Sequence, residues 1–274
     1  MTHAIEVEGV SKSYGSGQEQ VRALVDAHLH IAPGEFVSLI GPSGCGKSTL
    51  LRLIADLATP THGAIRIHGK SPHQARLDRE FGMVFQSPVL YEWRTVLRNV
   101  LLPLEVMGVR ADEARDRASA MLRLVGLSRF ENHHPWQLSG GMQQRVAIAR
   151  ALVFQPPILM MDEPFGALDE LTRERLNNEL LNLWQKQAAP RKSTVLFVTH
   201  SIHEAVFLSS RVVVMSPRPG RIERIVDIDL PRPRTAEMRW APRFLELVAT
   251  VRQALREDDG ASAHSRRETA HGAS

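Results

Sequence analysis

An apolar run, Phe36-Val37-Ser38-Leu39-Ile40, breaks directly into Gly41-Pro42-Ser43-Gly44-Cys45-Gly46-Lys47-Ser48-Thr49. No other stretch restricts the possible folds as strongly. The segment fits G-x-x-x-x-G-K-[ST], and Leu50, Leu51, Leu53, Ile54 and Leu57 follow at the spacing of one helical face. The motif therefore has the strand before it and the helix after it that its geometry needs. Glycines let successive backbone N–H groups turn inward on a polyphosphate, and the helix N-terminus adds partial positive charge. Lys47 supplies a full charge for the terminal phosphates, and Ser48 a hydroxyl for the magnesium ion that accompanies them. A strand, loop and helix of this kind predict an α/β domain that binds a nucleotide. They do not say what the nucleotide is for.

With 274 residues the chain can build one large domain around a buried core. Its 34 Lys and Arg are spread among 30 Asp and Glu, for a net charge of +4. No basic block interleaved with aromatics occurs, which argues against direct nucleic-acid binding. Cys45 is the one cysteine, so no internal disulfide is possible and a reducing compartment is expected. No signal peptide is evident before Ile5, and no apolar run approaches the roughly 20 residues of a membrane-spanning helix. The expectation is a cytosolic chain that reaches a membrane only through a partner.

Along the chain, Ile5 to Val10 alternate as a half-buried strand, and Ala27, Leu29 and Ile31 repeat the pattern before the turn at Pro33-Gly34. Tyr14 is expected in a loop between them, either as a surface residue or as a flat platform for an adenine ring. Gly63 to Gly69 and Phe81 to Phe85 read as further strands. The second ends at Gln86, whose amide either opens a loop or, beside a magnesium site, ligates the ion or orients a water. From about Thr95 to Phe130 the apolar period becomes helical, an all-helical insertion between strands. At its entrance Val89-Leu90-Tyr91-Glu92-Trp93 either packs in the core or forms a docking surface. In Leu138-Ser139-Gly140-Gly141-Met142, Ser139 is a good N-cap and the glycines expose backbone N–H groups. The segment is either a second anion-binding helix end or simply a capped helix.

Ile158-Leu159-Met160-Met161 then delivers two adjacent carboxylates, Asp162 and Glu163. Such a placement is unfavourable unless a cation and hydrogen bonds receive them. Asp162 suits magnesium held through water, and Glu163 suits accepting a proton from an attacking water; two solvated acids are the alternative. A helix is expected from Leu171 to about Gln187. The strand Thr194 to Val198 ends at Thr199-His200, where His200 is either a satisfied polar residue or a donor to a γ-phosphate. Strands at Arg211 to Met215 and Ile222 to Ile228 flank the turn Pro217-Arg218-Pro219-Gly220. Phe244, Leu247, Val251 and Leu255 mark a final amphipathic helix, and the polar tail 257–274 is expected to be disordered.

In this order the motifs resemble the nucleotide-binding subunit of ATP-binding cassette (ABC) transporters, over roughly residues 4–230, with 231–256 a C-terminal helical extension. The residues that carry the resemblance are Tyr14, the phosphate loop 41–49, Gln86, Leu138 to Met142, Asp162-Glu163, Asp169 and His200. The resemblance implies an α/β P-loop NTPase fold: a RecA-like core, an antiparallel β subdomain and a helical signature subdomain at about 95–155. It implies ATP and Mg2+ as cofactors. Gly41, Pro42, Ser43, Gly44, Cys45, Gly46, Lys47, Ser48 and Thr49 would meet the phosphates, Tyr14 the adenine, and Ser48, Gln86 and Asp162 the metal. Glu163 is implied as general base, with His200 and Gln86 positioning γ-phosphate, water and magnesium. Ser139, Gly140 and Gly141 are implied to bind the γ-phosphate held by a second copy in a head-to-tail sandwich, with Asp169 near the seam.

Asp162-Glu163-Pro164-Phe165-Gly166-Ala167-Leu168-Asp169, Val198 to Leu208 and Val212 to Ile222 look like importers of the nitrate, sulfonate and taurine group. That likeness implies a peripheral subunit at the cytoplasmic face of the membrane that powers uptake of a small solute. A permease would dock near Pro88 to Gly108, a periplasmic or extracellular solute-binding protein would be met indirectly, and no nucleic acid would be involved. Two departures stand out: Asp56 replaces the glycine usual after the phosphate-loop helix, and His68 to Asp78 has no clear family pattern. A soluble ABC ATPase not coupled to transport is the alternative, but repair relatives carry a long coiled coil and translation relatives two cassettes, and neither feature is present. A small-molecule kinase would have no use for Ser139-Gly140-Gly141.

Overall fold

The computed structural model describes the backbone of residues 3–15, 17–186 and 192–271, and their side chains except Gln18 and residues 257–271. In chain order the elements begin with β1 (Ile5–Tyr14), β2 (Val21–Ile31), β3 (Phe36–Ile40), α1 (Lys47–Ile54), β4 (His62–Ile67) and α2 (Pro72–Leu77). They continue with β5 (Phe81–Val84), α3 (Val96–Val106), α4 (Ala111–Leu124), α5 (Gly140–Leu152), β6 (Ile158–Asp162) and α6 (Glu170–Lys186). The last are β7 (Thr194–Val198), α7 (Ile202–Leu208), β8 (Arg211–Met215), β9 (Ile222–Asp227) and α8 (Pro242–His271). The chain forms two compact units, residues 1–78 with 196–274 and residues 79–195, and the division falls inside β7.

The first unit holds two sheets. In the antiparallel sheet β2-β1-β4, Ile5 pairs with Ile31 and Ile67, and Val7 with Leu29 and Ile65, so one face carries an aliphatic layer. The alternate residues Glu6, His30 and Arg66 pair on the opposite face, as the two-residue period of a strand requires. The second sheet runs β7-β3-β8-β9; β3 is parallel to β8, and β9 returns antiparallel to β8. Every residue of β3 is buried, which explains why it reads as a continuous apolar run rather than an alternation. At its start Arg211 grips Glu35 through two guanidinium contacts, one of them from Nη2 to Oε2 at 2.8 Å.

Arg234, only 3% exposed, donates to the carbonyls of Val206, Phe207 and Ser209 at 3.1, 2.9 and 2.8 Å. These are groups that the end of α7 leaves without helical partners. The backbone of α8 is helical to His271, past Glu257, where the sequence predicts a disordered tail. Residues 272–274 of that expected tail lie outside the described residues, as does Gln187, the expected end of α6.

The second unit pairs β5 in parallel with β6, from Phe81 opposite Ile158 to Val84 opposite Met161. Helices α3, α4 and α5 supply the helical insertion. Thr95 and Ser139 cap α3 and α5 by accepting from Arg98 N and Met142 N, each at 3.3 Å. Val89, Tyr91 and Trp93 are 61%, 39% and 74% exposed, so the entrance segment does not place these side chains in the core.

The two departures from the family pattern belong together. Asp56 has φ +56, the left-handed conformation for which glycine is the usual choice and which aspartate tolerates better than most. Its carboxylate accepts from Arg76 Nε at 2.8 Å and meets His73 Nδ1 at 3.1 Å. Both partners lie on α2, which Ser71 and Pro72 start as N-cap and first helical residue.

Candidate functional site

The residues singled out in the sequence divide between the units. Tyr14, residues 41–49 and His200 lie in the first, and Gln86, Ser139 to Gly141, Asp162, Glu163 and Asp169 in the second.

In the first unit the buried β3 delivers Gly41 at its end and α1 begins at Lys47, so residues 41–46 form the connecting loop. Gly44 and Gly46 have φ +75 and +102, and Gly46 stands at the N-cap without a side-chain cap, so the first N–H groups of α1 face the loop. Lys47, 6% exposed, is folded along the loop. Its ammonium donates to the carbonyls of Gly41 at 2.8 Å and Pro42 at 2.9 Å. Cys45 is buried beneath, its Sγ 3.7 Å from Lys47 Nζ.

The back of this loop is backbone on backbone. A Cβ on Gly41 would lie 2.7 Å from Met215 O, one on Gly46 2.8 Å from Ala23 O, and one on Gly220 1.8 Å from Cys45 O. Gly220 is stitched in place by Val25 N to Gly220 O at 2.9 Å and Gly220 N to Ala23 O at 3.2 Å. Arg218 Nε donates to Gly44 O at 3.3 Å. The turn between β8 and β9, which the sequence reading treats only as a turn, is therefore the wall against which the loop takes its shape.

Tyr14 is the last residue of β1 and pairs with Val21, correcting the expectation of a loop position. The strand continues past Gly9 through bulges, which break the apolar alternation by which its end would be read. Tyr14 is 43% exposed, and Lys12 Nζ sits 4.9 Å from the ring centroid. His200, two residues past β7, is exposed, and its flanks are pinned. Thr199 N donates to Leu39 O at 3.2 Å, Ser201 N to Thr199 Oγ1 at 3.0 Å, and Glu204 N to Ser201 Oγ at 3.3 Å. Sequence reading missed these supports, although Ser201 and Glu204 have capping-box spacing.

In the second unit β6 is buried throughout and ends at Asp162, 3% exposed. Glu163 follows with φ +45, a left-handed conformation unfavourable for any residue but glycine. Gly166 N donates to Glu163 O at 3.1 Å and closes the turn. Gln86, two residues past β5, donates from Nε2 to Glu163 Oε2 at 3.3 Å, so two residues far apart in sequence meet. Asp169 accepts from Thr172 N at 2.9 Å at the start of α6. That hydrogen bond holds its carboxyl below the usual carboxylate range, with Arg145 adding a smaller effect. Ser139 and Gly140 are exposed at the start of α5, and a Cβ on Gly141 would come within 3.1 Å of Leu168 Cδ2. The signature glycine thus lies against the segment that leads into Asp169.

The donor types suit a hard cation. Magnesium takes oxygen ligands, keeps several waters, and is commonly held by one or two carboxylates together with substrate phosphates. A buried carboxylate at Asp162, a hydroxyl at Ser48 in the first turn of α1 and the amide of Gln86 are groups of that kind. Among the described residues no group of three or more His, Cys, Asp or Glu forms a self-sufficient metal cage.

A phosphate loop between a buried parallel strand and a helix, together with an acidic strand end, defines a P-loop nucleotide-binding cassette. The sequence pattern of the ABC transporter family matches residues 24–166. The nitrate import ATP-binding protein NrtD of Synechocystis is 43% identical over 258 residues, 92% of this chain and 95% of that protein. The taurine import ATP-binding protein TauB of Rhizobium johnstonii is 46% identical over 241 residues, 86% and 89% of the two chains. Among solved structures, the dimeric post-hydrolysis state of the ATP-binding cassette MJ0796 bound to ADP and Pi aligns with a TM-score of 0.74 and 39% identity. That alignment covers 83% of this chain and all of the other. The chain belongs to the ABC transporter family and is an ATP-hydrolysing cassette.

Proposed function

We propose that the chain powers uptake of a small solute of the nitrate, sulfonate and taurine kind through a separate membrane permease, working as a head-to-tail dimer around two ATP molecules. The observation that carries the chemical part is Glu163: a carboxylate fixed at a strand end by a left-handed turn and held against Gln86. There it accepts the proton of a water attacking the γ-phosphorus while the bond to the ADP oxygen breaks. Because the Gln86 nitrogen donates to Glu163, the amide oxygen is the atom left to face a cation. Asp162, Ser48 and Gln86 would hold magnesium, which when bound neutralises charge on the β- and γ-phosphate oxygens.

Lys47 exchanges the loop carbonyls of Gly41 and Pro42 for phosphate oxygens, and residues 41–49 surround the phosphates with N–H groups. The exposed face of Tyr14 receives the adenine, with Lys12 on the ring as a second contact. His200, exposed on pinned flanks, donates to the γ-phosphate. Ser139, Gly140 and Gly141 bind the γ-phosphate of the second copy, and Asp169 lies at the seam. Likeness to import proteins for nitrate and taurine supports the solute class. The exposed Val89, Tyr91 and Trp93 support a permease contact within Pro88 to Gly108. No helix among the described residues is long and apolar enough to cross a membrane; in this reading the chain sits at the cytoplasmic face of the membrane, held there by its permease.

The test is Glu163→Gln purified from its own cells with magnesium and ATP. The variant should bind ATP and dimerise, lose on the order of 10²-fold or more in turnover, and bring down a polytopic membrane protein. Near-normal turnover would remove Glu163 as the base. Co-purification of ribosomal or DNA-associated proteins in place of a permease would remove the transport reading and leave the ATPase.

A further inference from the structure

We propose that Gln144 and Arg150, two side chains on the helix that the signature residues begin, are positioning residues for Gln86, and that through them α5 sets the contact between Gln86 and Glu163. The proposal rests on the catalytic reading of Gln86 and Glu163 given above.

Helix α5 lies against β5 more closely than a side chain on that strand would allow. A Cβ on Gly82 would be 2.9 Å from Ala151 O, 3.0 Å from Pro156 Cγ and 3.2 Å from Phe154 Cζ. From this fixed position α5 reaches the segment just beyond β5 at both ends. Gln144, 1% exposed, donates from Nε2 to the Phe85 carbonyl at 2.9 Å, the peptide that joins Phe85 to Gln86. Arg150 donates from Nη2 to Pro88 O at 3.2 Å and from Nη1 to Val89 O at 3.0 Å, at a residue with φ +46. Gln86 therefore sits on a short loop whose carbonyls on either side are held by one helix.

Slack cannot be taken up further along. Fully buried Asn99 on α3 donates to Tyr91 O, Arg94 O and Thr95 O, each at 3.1 Å, and accepts from Tyr91 N at 2.9 Å. Hydrogen bonds from buried side chains to backbone carbonyls fix position strongly, because breaking one strands a buried acceptor. At its other end α5 begins with Gly140 and Gly141, and Gly141 touches Leu168 before Asp169. A displacement of the signature end of α5 is transmitted to the Phe85 peptide, and the 3.3 Å contact from Gln86 Nε2 to Glu163 Oε2 opens or closes with it. Neither residue touches the reacting atoms, so neither is catalytic.

The experiment is a double-mutant cycle on the full chain, reading kcat and KM for ATP hydrolysis at saturating magnesium. Gln144→Met keeps the length of the side chain and removes the donation. It also removes Gln144 Oε1, which has no protein partner among the described residues, but it leaves the Phe85 carbonyl without its donor, so thermal unfolding confirms the fold of each variant before kcat is compared. The expected result is a fall in kcat of about tenfold with KM nearly unchanged, shrinking to less than about twofold in a Gln86→Ala background. The same factor in both backgrounds, or an unchanged kcat in folded Gln144→Met, would overturn the proposal. Arg150→Met is carried through the same cycle with the same expectation, so a Gln144 variant that fails to fold leaves the idea exposed to refutation. A Gln86→Ala chain with full turnover removes the catalytic role of Gln86 itself, an outcome visible in the single variant with Gln144 and Arg150 intact, and the proposal falls with it.

Discussion

Replacing Gly220 by alanine should damage the phosphate loop from a position outside the loop itself. On the present backbone the added Cβ would lie 1.8 Å from Cys45 O, 3.0 Å from Cys45 C and 3.2 Å from Ala23 O. Such contacts keep at least 3.0 Å, so the two backbones must part by about 1.2 Å. No flexible side chain is available to move aside, since the obstructing atoms are main chain on both flanks. Cys45 carries Gly44 and Gly46 with it, and a misplacement of about 1 Å in a positioning group costs on the order of 10²-fold in rate. Gly220→Ala should therefore lose about 10²-fold in kcat/KM for ATP and on the order of 1–3 kcal/mol of stability. Steady-state hydrolysis across a range of ATP concentrations, nucleotide titration and thermal unfolding measure both. Gly69→Ala is the control: its φ of +77 brings backbone strain, but a Cβ there meets nothing within 4 Å. A folded Gly220→Ala chain whose kcat/KM falls by no more than the control's would refute the claim that the turn at 215–220 shapes the loop.

Two further perturbations test the fold that supports the site. Asp56→Ala loses the Arg76 and His73 contacts and leaves a poorly suited residue at φ +56, whereas Asp56→Gly loses the contacts alone. Chemical denaturation should find the alanine variant about 1 kcal/mol less stable than the glycine variant, and equal stabilities would contradict the backbone argument. The hydrogen bond from Arg76 holds the Asp56 carboxyl below its ordinary range. Its stabilising share is complete above the unfolded carboxylate value of about 4 and is lost as pH falls through the lower folded value. Stability followed by denaturation between pH 6 and pH 3 should fall less steeply in Asp56→Gly than in the parent chain. Arg234→Met strands the carbonyls of Val206, Phe207 and Ser209 at the end of α7, and a loss of about 3 kcal/mol or more in denaturation is expected. An unchanged midpoint would show that water replaces the guanidinium without penalty.

Some of the site could be read before any coordinates because its signals are local. A fully buried strand is apolar along nearly its whole length, Ser38 of β3 being accommodated by a hydrogen bond to Ser209, so Phe36 to Ile40 and Ile158 to Met161 announce themselves, and the groups they deliver follow at once in sequence. Ser139 is likewise legible as a cap. Helix α2 escaped although Ser71 and Pro72 mark its start, because it is short and has little apolar period. Asp56 departs from the family pattern in sequence, and only its left-handed φ and its two partners on α2 account for an aspartate there. The wall behind the phosphate loop was not legible, since Gly220, Arg218 and Met215 act through backbone contacts with residues far away in sequence. Gln144 and Arg150 were hidden for a different reason: polar residues in an amphipathic helix read as its wet face, and only tertiary packing turns them inward. The left-handed φ of Glu163 has no sequence signal at all in a glutamate.

The distance along the chain between the phosphate loop and its wall has a consequence during synthesis. Arg218 follows Gly44 by 174 residues. At a translation rate of about 5–20 residues per second, the loop waits about 9–35 s on the ribosome before the turn at 215–220 is even polymerised. The nascent chain thus carries the whole phosphate-binding motif for most of its elongation without the surface that shapes it. A translation product that stops short of Gly220 has the motif without the turn that packs behind it.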